Sequence, residues 1–137
     1  MRKTALLLAA AAVTLLAGGS LQAGEKLTGE AQLTKILEGR VAGKPVNCIY
    51  MPRVRNSRII DRTAIVYDAG PTIWVNRPAN GADQLDDNDV MVVQLTGSQL
   101  CSVDTISMHD RSGHFWSGYV SLGDFVPYTR AKVAHAD

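Results

Sequence analysis

The architecture is indicated most clearly by residues 59–76, which read IIDRTAIVYDAGPTIWVN. Residues 59–67 and residues 72–76 are both rich in β-branched and aromatic side chains, which favour extended strands. The Gly70-Pro71 pair between them is typical of a turn. Two such runs around a turn predict a β-hairpin.

The same pattern continues on both sides of this hairpin, as short strands separated by polar turns. A strand is predicted before it at residues 46–51, and others after it at residues 90–95, 101–108 and 115–120. The last of these precedes Gly123, beyond which no strand is predicted. Short strands at this spacing predict an antiparallel sheet, a sandwich or a small barrel-like domain.

One helix is predicted ahead of the strands, over residues 27–41. Apolar side chains recur there at three- and four-residue steps, which places them on one helix face. They are Leu33, Ile36, Leu37 and Val41. Thr28 is the expected N-cap, and Pro45 prevents the helix from continuing. The predicted fold class is therefore α+β and mostly β, with one N-terminal helix followed by an antiparallel sheet or small barrel-like domain.

The first 23 residues have the three-part layout of a secretory signal peptide. A basic start at residues 1–3 is followed by an apolar run at residues 5–17, and small residues then lead to Ala23. The apolar run is too short to cross the ~30 Å hydrocarbon core of a membrane. Cleavage is therefore predicted before Gly24, which makes the protein periplasmic or secreted. Gly19 stands where a lipoprotein would carry its acylated cysteine, so no lipid anchor is expected.

The exported part is predicted to form one domain over residues 24–130, followed by a disordered tail at residues 131–137. The whole chain has 14 basic and 13 acidic side chains. Loss of Arg2 and Lys3 with the signal peptide leaves a slight acidic excess. This balance lacks the concentrated basic face that nucleic acid requires, and no transmembrane segment is expected after cleavage.

Both cysteines, Cys48 and Cys101, lie in the exported part. An even number of cysteines in an exported domain predicts a disulfide, and two buried free thiols are the alternative. Each cysteine shares a strand face with apolar neighbours, namely Val46 and Tyr50 for the first and Val103 for the second. Both sulfur atoms are therefore predicted to point into the core.

Five short motifs resemble a family of small exported bacterial proteins of unknown function. They are Cys48-Ile49, Arg58-Ile59-Ile60-Asp61, Trp74-Val75-Asn76-Arg77-Pro78, Gly97-Ser98-Gln99-Leu100-Cys101 and Leu122-Gly123-Asp124-Phe125-Val126-Pro127-Tyr128. The resemblance covers about residues 39–130 and implies an envelope location and a compact disulfide-bearing domain. Some relatives have a second cysteine pair where this chain has Gly81-Ala82 and Val120-Ser121, which implies that Cys48 and Cys101 are partners here. The resemblance implies no activity.

The candidate ligand-binding residues are Arg53, Arg55 and Arg58, which crowd a short connection between predicted strands. Guanidinium groups suit the carboxylate or phosphate of an acidic ligand or a partner protein. Arg62 adds to this basic group from inside the predicted strand at residues 59–67. The alternative is ordinary surface charge that the acidic loop at residues 83–89 neutralises.

Two groups offer metal ligands without a complete set. The loop at residues 83–89 presents four aspartates, and calcium prefers oxygen ligands, but their spacing does not match an EF-hand. A solvated charged loop is the alternative. His109, Asp110 and His114 could contribute to a zinc or copper site, although a fourth ligand is not visible. No metal or other cofactor is therefore predicted.

The favoured hypothesis is a non-enzymatic binding or envelope-associated protein, whose partner is an unknown envelope protein or an acidic ligand. No catalytic residue is assigned, because no serine lies in a Gly-x-Ser-x-Gly motif and a disulfide-bonded cysteine is not a nucleophile. The alternative is a small periplasmic hydrolase or metal-dependent enzyme with a site near His109 and His114. Its groups would meet only in the folded chain.

Overall fold

A computed structural model describes residues 24–132, which form one helix and ten strands arranged in three antiparallel sheets. The helix is α1 (Gly29–Ile36), and the strands are β1 (Arg40–Ala42), β2 (Cys48–Tyr50), β3 (Asn56–Ile60), β4 (Ala64–Asp68), β5 (Thr72–Asn76), β6 (Asp89–Val92), β7 (Gln99–Cys101), β8 (Thr105–Asp110), β9 (Trp116–Ser121) and β10 (Phe125–Arg130). The predicted signal peptide and residues 133–137 of the predicted tail lie outside the described residues. The mostly β, antiparallel class with one helix is confirmed, and the sheets do not close into a barrel within residues 24–132. The prediction of an N-terminal helix is wrong, because α1 lies at Gly29–Ile36, well inside the chain.

The largest sheet has five strands in the order β1-β10-β5-β4-β3 and separates two hydrophobic cores. On one face, Leu33 of α1 packs against the sheet. That core contains Leu33, Ile60, Ala64, Val66, Ile73 and Val75. The opposite face is covered by the two smaller sheets, β2-β7 and β6-β8-β9. The core on this side contains Ile49, Ile59, Ile65, Tyr67, Leu85, Leu100, Ile106, Met108, Val120, Leu122 and Phe125.

The helix is shorter than predicted and begins at Gly29 rather than near residue 27. The predicted N-cap is confirmed, because the Thr28 hydroxyl accepts a hydrogen bond from the Ala31 N–H at 3.3 Å. Val41 was predicted to lie on the helix, but it belongs to β1, where it pairs with Thr129. Pairing with β10 thus overrides the helical periodicity at the end of the predicted segment.

The segment at residues 59–67 is two strands rather than the single strand predicted. The chain turns back between Ile60 and Ala64, where the Thr63 N–H donates to the Ile60 carbonyl at 3.0 Å. Arg62 occupies this turn with a φ of 50° and so does not lie within a strand. The predicted hairpin around Gly70 is confirmed as β4 and β5.

Two further strand predictions are wrong. Residues 101–108 contain the end of β7, a turn and most of β8. The turn is stabilised by a hydrogen bond of 2.7 Å from the Cys101 N–H to the Asp104 carboxylate. Strand β10 lies beyond Gly123, where no strand is predicted, and it contains Pro127, a residue that lacks a backbone donor and disfavours central strands. The Pro127 carbonyl accepts a hydrogen bond from the Gly43 N–H, just past the end of β1. Because the nitrogen and carbonyl of a strand residue face the same neighbour, the missing N–H of Pro127 also faces this end of β1.

The Cys48–Cys101 disulfide is confirmed, with the two cysteines directly opposite each other on β2 and β7 and their Cα atoms 4.0 Å apart. The predicted inward orientation is wrong. The intervening residues Ile49 and Leu100 are the buried ones, whereas Tyr50 is 48% exposed. The larger aliphatic side chains occupy the core, so the disulfide clamps the outer side of this two-stranded sheet.

Two motifs of the family resemblance meet at a buried amide. Asn76 is fully buried, and its Nδ2 donates to the Gly123 carbonyl at 2.6 Å while its Oδ1 accepts from the Gly123 N–H at 3.0 Å. A Cβ at Gly123 would lie 2.4 Å from the Arg77 carbonyl oxygen. Next to this contact, Arg77 forms a double hydrogen bond with Glu30 of α1, which lowers the pKa of that carboxyl.

Candidate functional site

Arg53 and Arg55 lie together in an open groove of about 560 Å³. A 3-10 turn at Met51–Arg53 follows β2, and the Arg55 N–H then donates to the Asp68 carbonyl at 2.7 Å. This bond holds the connection against the hairpin of β4 and β5. The remaining lining residues are Tyr50, Pro52, Ala69, Pro71, Thr72 and Trp74.

The two guanidinium groups in this groove have no carboxylate partner among residues 24–132. Ion pairs within 4.0 Å in this part of the chain are formed by Lys26 and Arg77 instead. The Arg55 guanidinium lies over Gly70, where a Cβ would come within 3.1 Å of its central carbon. Because Gly70 has no side chain, the Arg55 guanidinium can pack directly against its backbone at the wall of the groove.

The groove combines these charges with apolar walls. Tyr50 is about half exposed and Trp74 is partly buried, so their side chains offer both apolar surface and a polar group. Arginine, tyrosine and tryptophan are the side chains most enriched at binding hot spots. The arrangement suits an acidic ligand that also has an apolar part.

The structure places Arg58 elsewhere. It lines a second groove of about 490 Å³ between β3 and β6, opposite Asp87 and Asp89 and together with Arg111. The Arg111 guanidinium donates to the Asn88 carbonyl at 3.3 Å. Because two arginines and two aspartates line this groove, it contains charges of both signs. The three candidate arginines thus do not form one site.

The acidic loop is held by a lysine and not by the candidate arginines. Lys26 Nζ lies 2.9 Å from Asp61 and 3.3 Å from Asp87, and the Asp61 carboxylate also accepts from the Asp87 N–H at 2.6 Å. The hydrogen bond from Lys26 lowers the pKa of Asp61. Asp61, Asp86 and Asp87 bring ligand atoms within 4.8 Å of one another, but the Lys26 ammonium already supplies positive charge there.

His109 and His114 do not form a metal site together. His109 Nε2 hydrogen-bonds the Ser107 hydroxyl at 2.9 Å, and Nδ1 lies 3.4 Å from the backbone carbonyl of His114. His114 itself occupies the turn after Asp110 with a φ of 56°. Neither histidine belongs to the three-ligand cluster found within residues 24–132.

His109 and Ser107 lie on the outer face of the β6-β8-β9 sheet, in a groove of about 360 Å³. Strand register places them in two rows across this face. One row is Val90, His109 and Trp116, and the other is Val92, Ser107 and Tyr119. Sequence reasoning missed this surface, because the predicted strands did not show which side of each faces solvent.

The chain matches no protein-family model, no curated protein and no solved structure. Within residues 24–132, no helix has both the length and the apolar character needed to cross a membrane. The function must therefore be inferred from the chemistry of the grooves themselves.

Proposed function

We propose that this is an exported, non-enzymatic binding protein, and that the groove at Arg53 and Arg55 binds an acidic ligand. The observation that supports this is the pair of guanidinium groups without a carboxylate partner, beside the aromatic walls formed by Tyr50 and Trp74. Like charges in one groove repel each other, and an anion between them relieves that repulsion.

The competing account assigned these arginines to ordinary surface charge balanced by the acidic loop. The loop is instead engaged by Lys26, so it does not neutralise Arg53 and Arg55 through ion pairs. The ligand of this groove is expected to have a carboxylate or phosphate that a guanidinium fork can hold. Its apolar part would contact Trp74.

Tryptophan fluorescence can test this proposal, because the chain has two tryptophans. In a Trp116→Phe background, Trp74 is the sole reporter and lines the groove. We expect titration with phenyl phosphate, or with a blocked Glu-Phe-Glu peptide, to change its emission. Hydrogen bonds to charged groups are worth about 1.5–3 kcal/mol, so Arg53→Gln with Arg55→Gln should weaken binding by about tenfold or more.

The matched control is Arg58→Gln, which removes the same charge from a different groove. It should leave the affinity within about twofold of the parent, because distant surface charges are screened by salt. Equal affinity in the double variant, or equal weakening by Arg58→Gln, would contradict the proposal. Failure of both probes to bind would contradict it as well.

A hydrolase is the second candidate, favoured by the hydrogen bond between Ser107 and His109. A serine activated by a histidine that a third group orients is a recurring nucleophilic arrangement, and here the His114 carbonyl would be the orienting group. A fluorophosphonate probe should then label Ser107 in the folded protein, and His109→Gln should abolish the labelling. Unlabelled protein would leave the binding proposal as the better account.

A further inference from the structure

The outer face of the β6-β8-β9 sheet is unusually apolar for a surface that faces solvent. Trp116 is 58% exposed and Tyr119 is 57% exposed, and Val90 and Val92 are exposed in the same two rows. Phe115 next to β9 is more exposed still. Solvent-facing sides of antiparallel sheets normally bear polar residues. Here only the central strand does so, with Ser107 and His109, and the exposed apolar side chains on both sides of it mark a candidate interaction surface.

The rings of Trp116 and Tyr119 pack against each other on β9, at one edge of this face. The Trp116 and Tyr119 ring centroids are 5.2 Å apart, and their planes are inclined by 50°. Each ring thus presents a flat apolar surface while its N–H or O–H group remains available for hydrogen bonding. An exposed aromatic face of this kind can stack against a flat apolar surface of a ligand.

The groove beside Tyr119 supplies the complementary polar groups. Gln94, Thr105, Ser107 and His109 line it and offer both donors and acceptors to a ligand. Asp104 also lines it, and the hydrogen bond from the Cys101 N–H to one of its carboxylate oxygens fixes that side chain. Only one carboxylate and no lysine or arginine line this groove, so its chemistry matches a ligand rich in neutral hydroxyl groups.

From this combination we infer a second binding site, for a β-linked glycan of pyranose units whose hydroxyls are equatorial. Such a ring presents its axial C–H groups as a flat apolar face, which stacks on Trp116 or Tyr119. Its hydroxyls at the ring edge reach the polar groups of the groove. This site is on a different sheet from the arginine groove and does not depend on the function proposed there.

The test uses the mature protein with Trp74→Phe, so that Trp116 is the sole tryptophan. Cellotetraose and chitotetraose are titrated, with fluorescence and calorimetry as readouts. At least one oligosaccharide should bind and change the Trp116 emission. Loss of one stacking partner should weaken binding by about tenfold, so Trp116→Ala and Tyr119→Ala, read by calorimetry, are each expected to show that loss.

The control is the Arg53→Gln, Arg55→Gln variant, which alters the other groove and should bind the oligosaccharide with unchanged affinity. Because Trp116 and Tyr119 are both largely exposed, each alanine variant is expected to fold, and either one alone suffices for the test. The inference is overturned if neither oligosaccharide binds, or if both alanine variants retain parental affinity. It is also overturned if sedimentation shows a dimer that Trp116→Ala dissociates, since the face would then join two copies.

Discussion

Replacement of Asn76 by alanine is predicted to destabilise the domain more than most single substitutions. The side chain is fully buried and satisfies both the N–H and the carbonyl of Gly123. Alanine would leave both backbone groups without a partner in a site that the side chain had filled. An unsatisfied buried polar group costs about 1–3 kcal/mol. Two groups are affected, but Gly123 is only partly buried, so the free energy of unfolding should fall by about 2–4 kcal/mol, the lower part of the range for two groups. This is a large share of the ~5–15 kcal/mol typical of a whole domain.

Urea unfolding of the oxidised protein, followed by far-UV circular dichroism, measures this change. With a slope of about 2 kcal/mol per molar urea, the midpoint should shift by about 1–2 M while the slope stays constant. Asn80→Ala is the matched control, because Asn80 is an exposed asparagine and should change stability by less than about 0.5 kcal/mol. If Asn76→Ala proves as mild as Asn80→Ala, the two hydrogen bonds between Asn76 and Gly123 contribute little to stability, contrary to this prediction.

Three further predictions concern other parts of the fold. The buried Tyr67 hydroxyl has no hydrogen-bond partner among the described residues, so Tyr67→Phe should leave the urea midpoint unchanged or raise it, and a clear decrease would show that the hydroxyl is satisfied. A double Cys48→Ala, Cys101→Ala variant should lose about 4 kcal/mol, since the bridge closes a loop with a sequence separation of 53, and an unchanged thermal midpoint would contradict this. The lowered pKa values of Asp61 and Glu30 mean that their stabilisation is complete above about pH 5 and disappears as the pH falls through the lower folded pKa values. A Glu30→Gln variant should show a smaller acid-induced fall in the urea midpoint, and an identical fall would refute the contribution of Glu30.

The parts of the fold that could be predicted are those decided by local chemistry. The helix N-cap at Thr28 and the β4–β5 hairpin follow from residue types and short spacings. The disulfide follows from the even number of cysteines in a domain predicted to be exported, and the family resemblance implies the same pairing. The parts that could not be predicted depend on pairing between distant segments. Strand β1 exists because β10 lies beside it, and β10 tolerates Pro127 because the missing donor faces past the end of β1.

The side of each strand that faces the core was also beyond local reasoning. The cysteines were placed inward because their neighbours Val46, Tyr50 and Val103 are apolar. The opposite faces of the same strands bear Ile49 and Leu100, whose aliphatic side chains occupy the core instead. A shift of one residue in phase exchanges every buried and exposed position on a strand.

The candidate site shows the same limit. Arg53 and Arg55 precede β3 and enter one groove, whereas Arg58 lies within that strand and borders another. Closeness along the chain therefore did not imply a shared surface. The sequence spacing of Trp116 and Tyr119 did not indicate an exposed aromatic pair. Their exposure depends on which face of β9 is covered by the rest of the protein.

The motifs behind the family resemblance bear mainly on the scaffold. Ile59, Leu100 and Phe125 are core residues of three of these motifs, and Asn76 contacts Gly123 across two of them. These contacts contribute to the packing of the sheets, and most of the residues that line the grooves take no part in them. Arg53, Arg55, Trp116 and Tyr119 all lie outside the motifs, on surfaces that can change without disturbing the core. The motifs thus account for the packing of this fold, whereas the two binding proposals depend on residues that line the grooves.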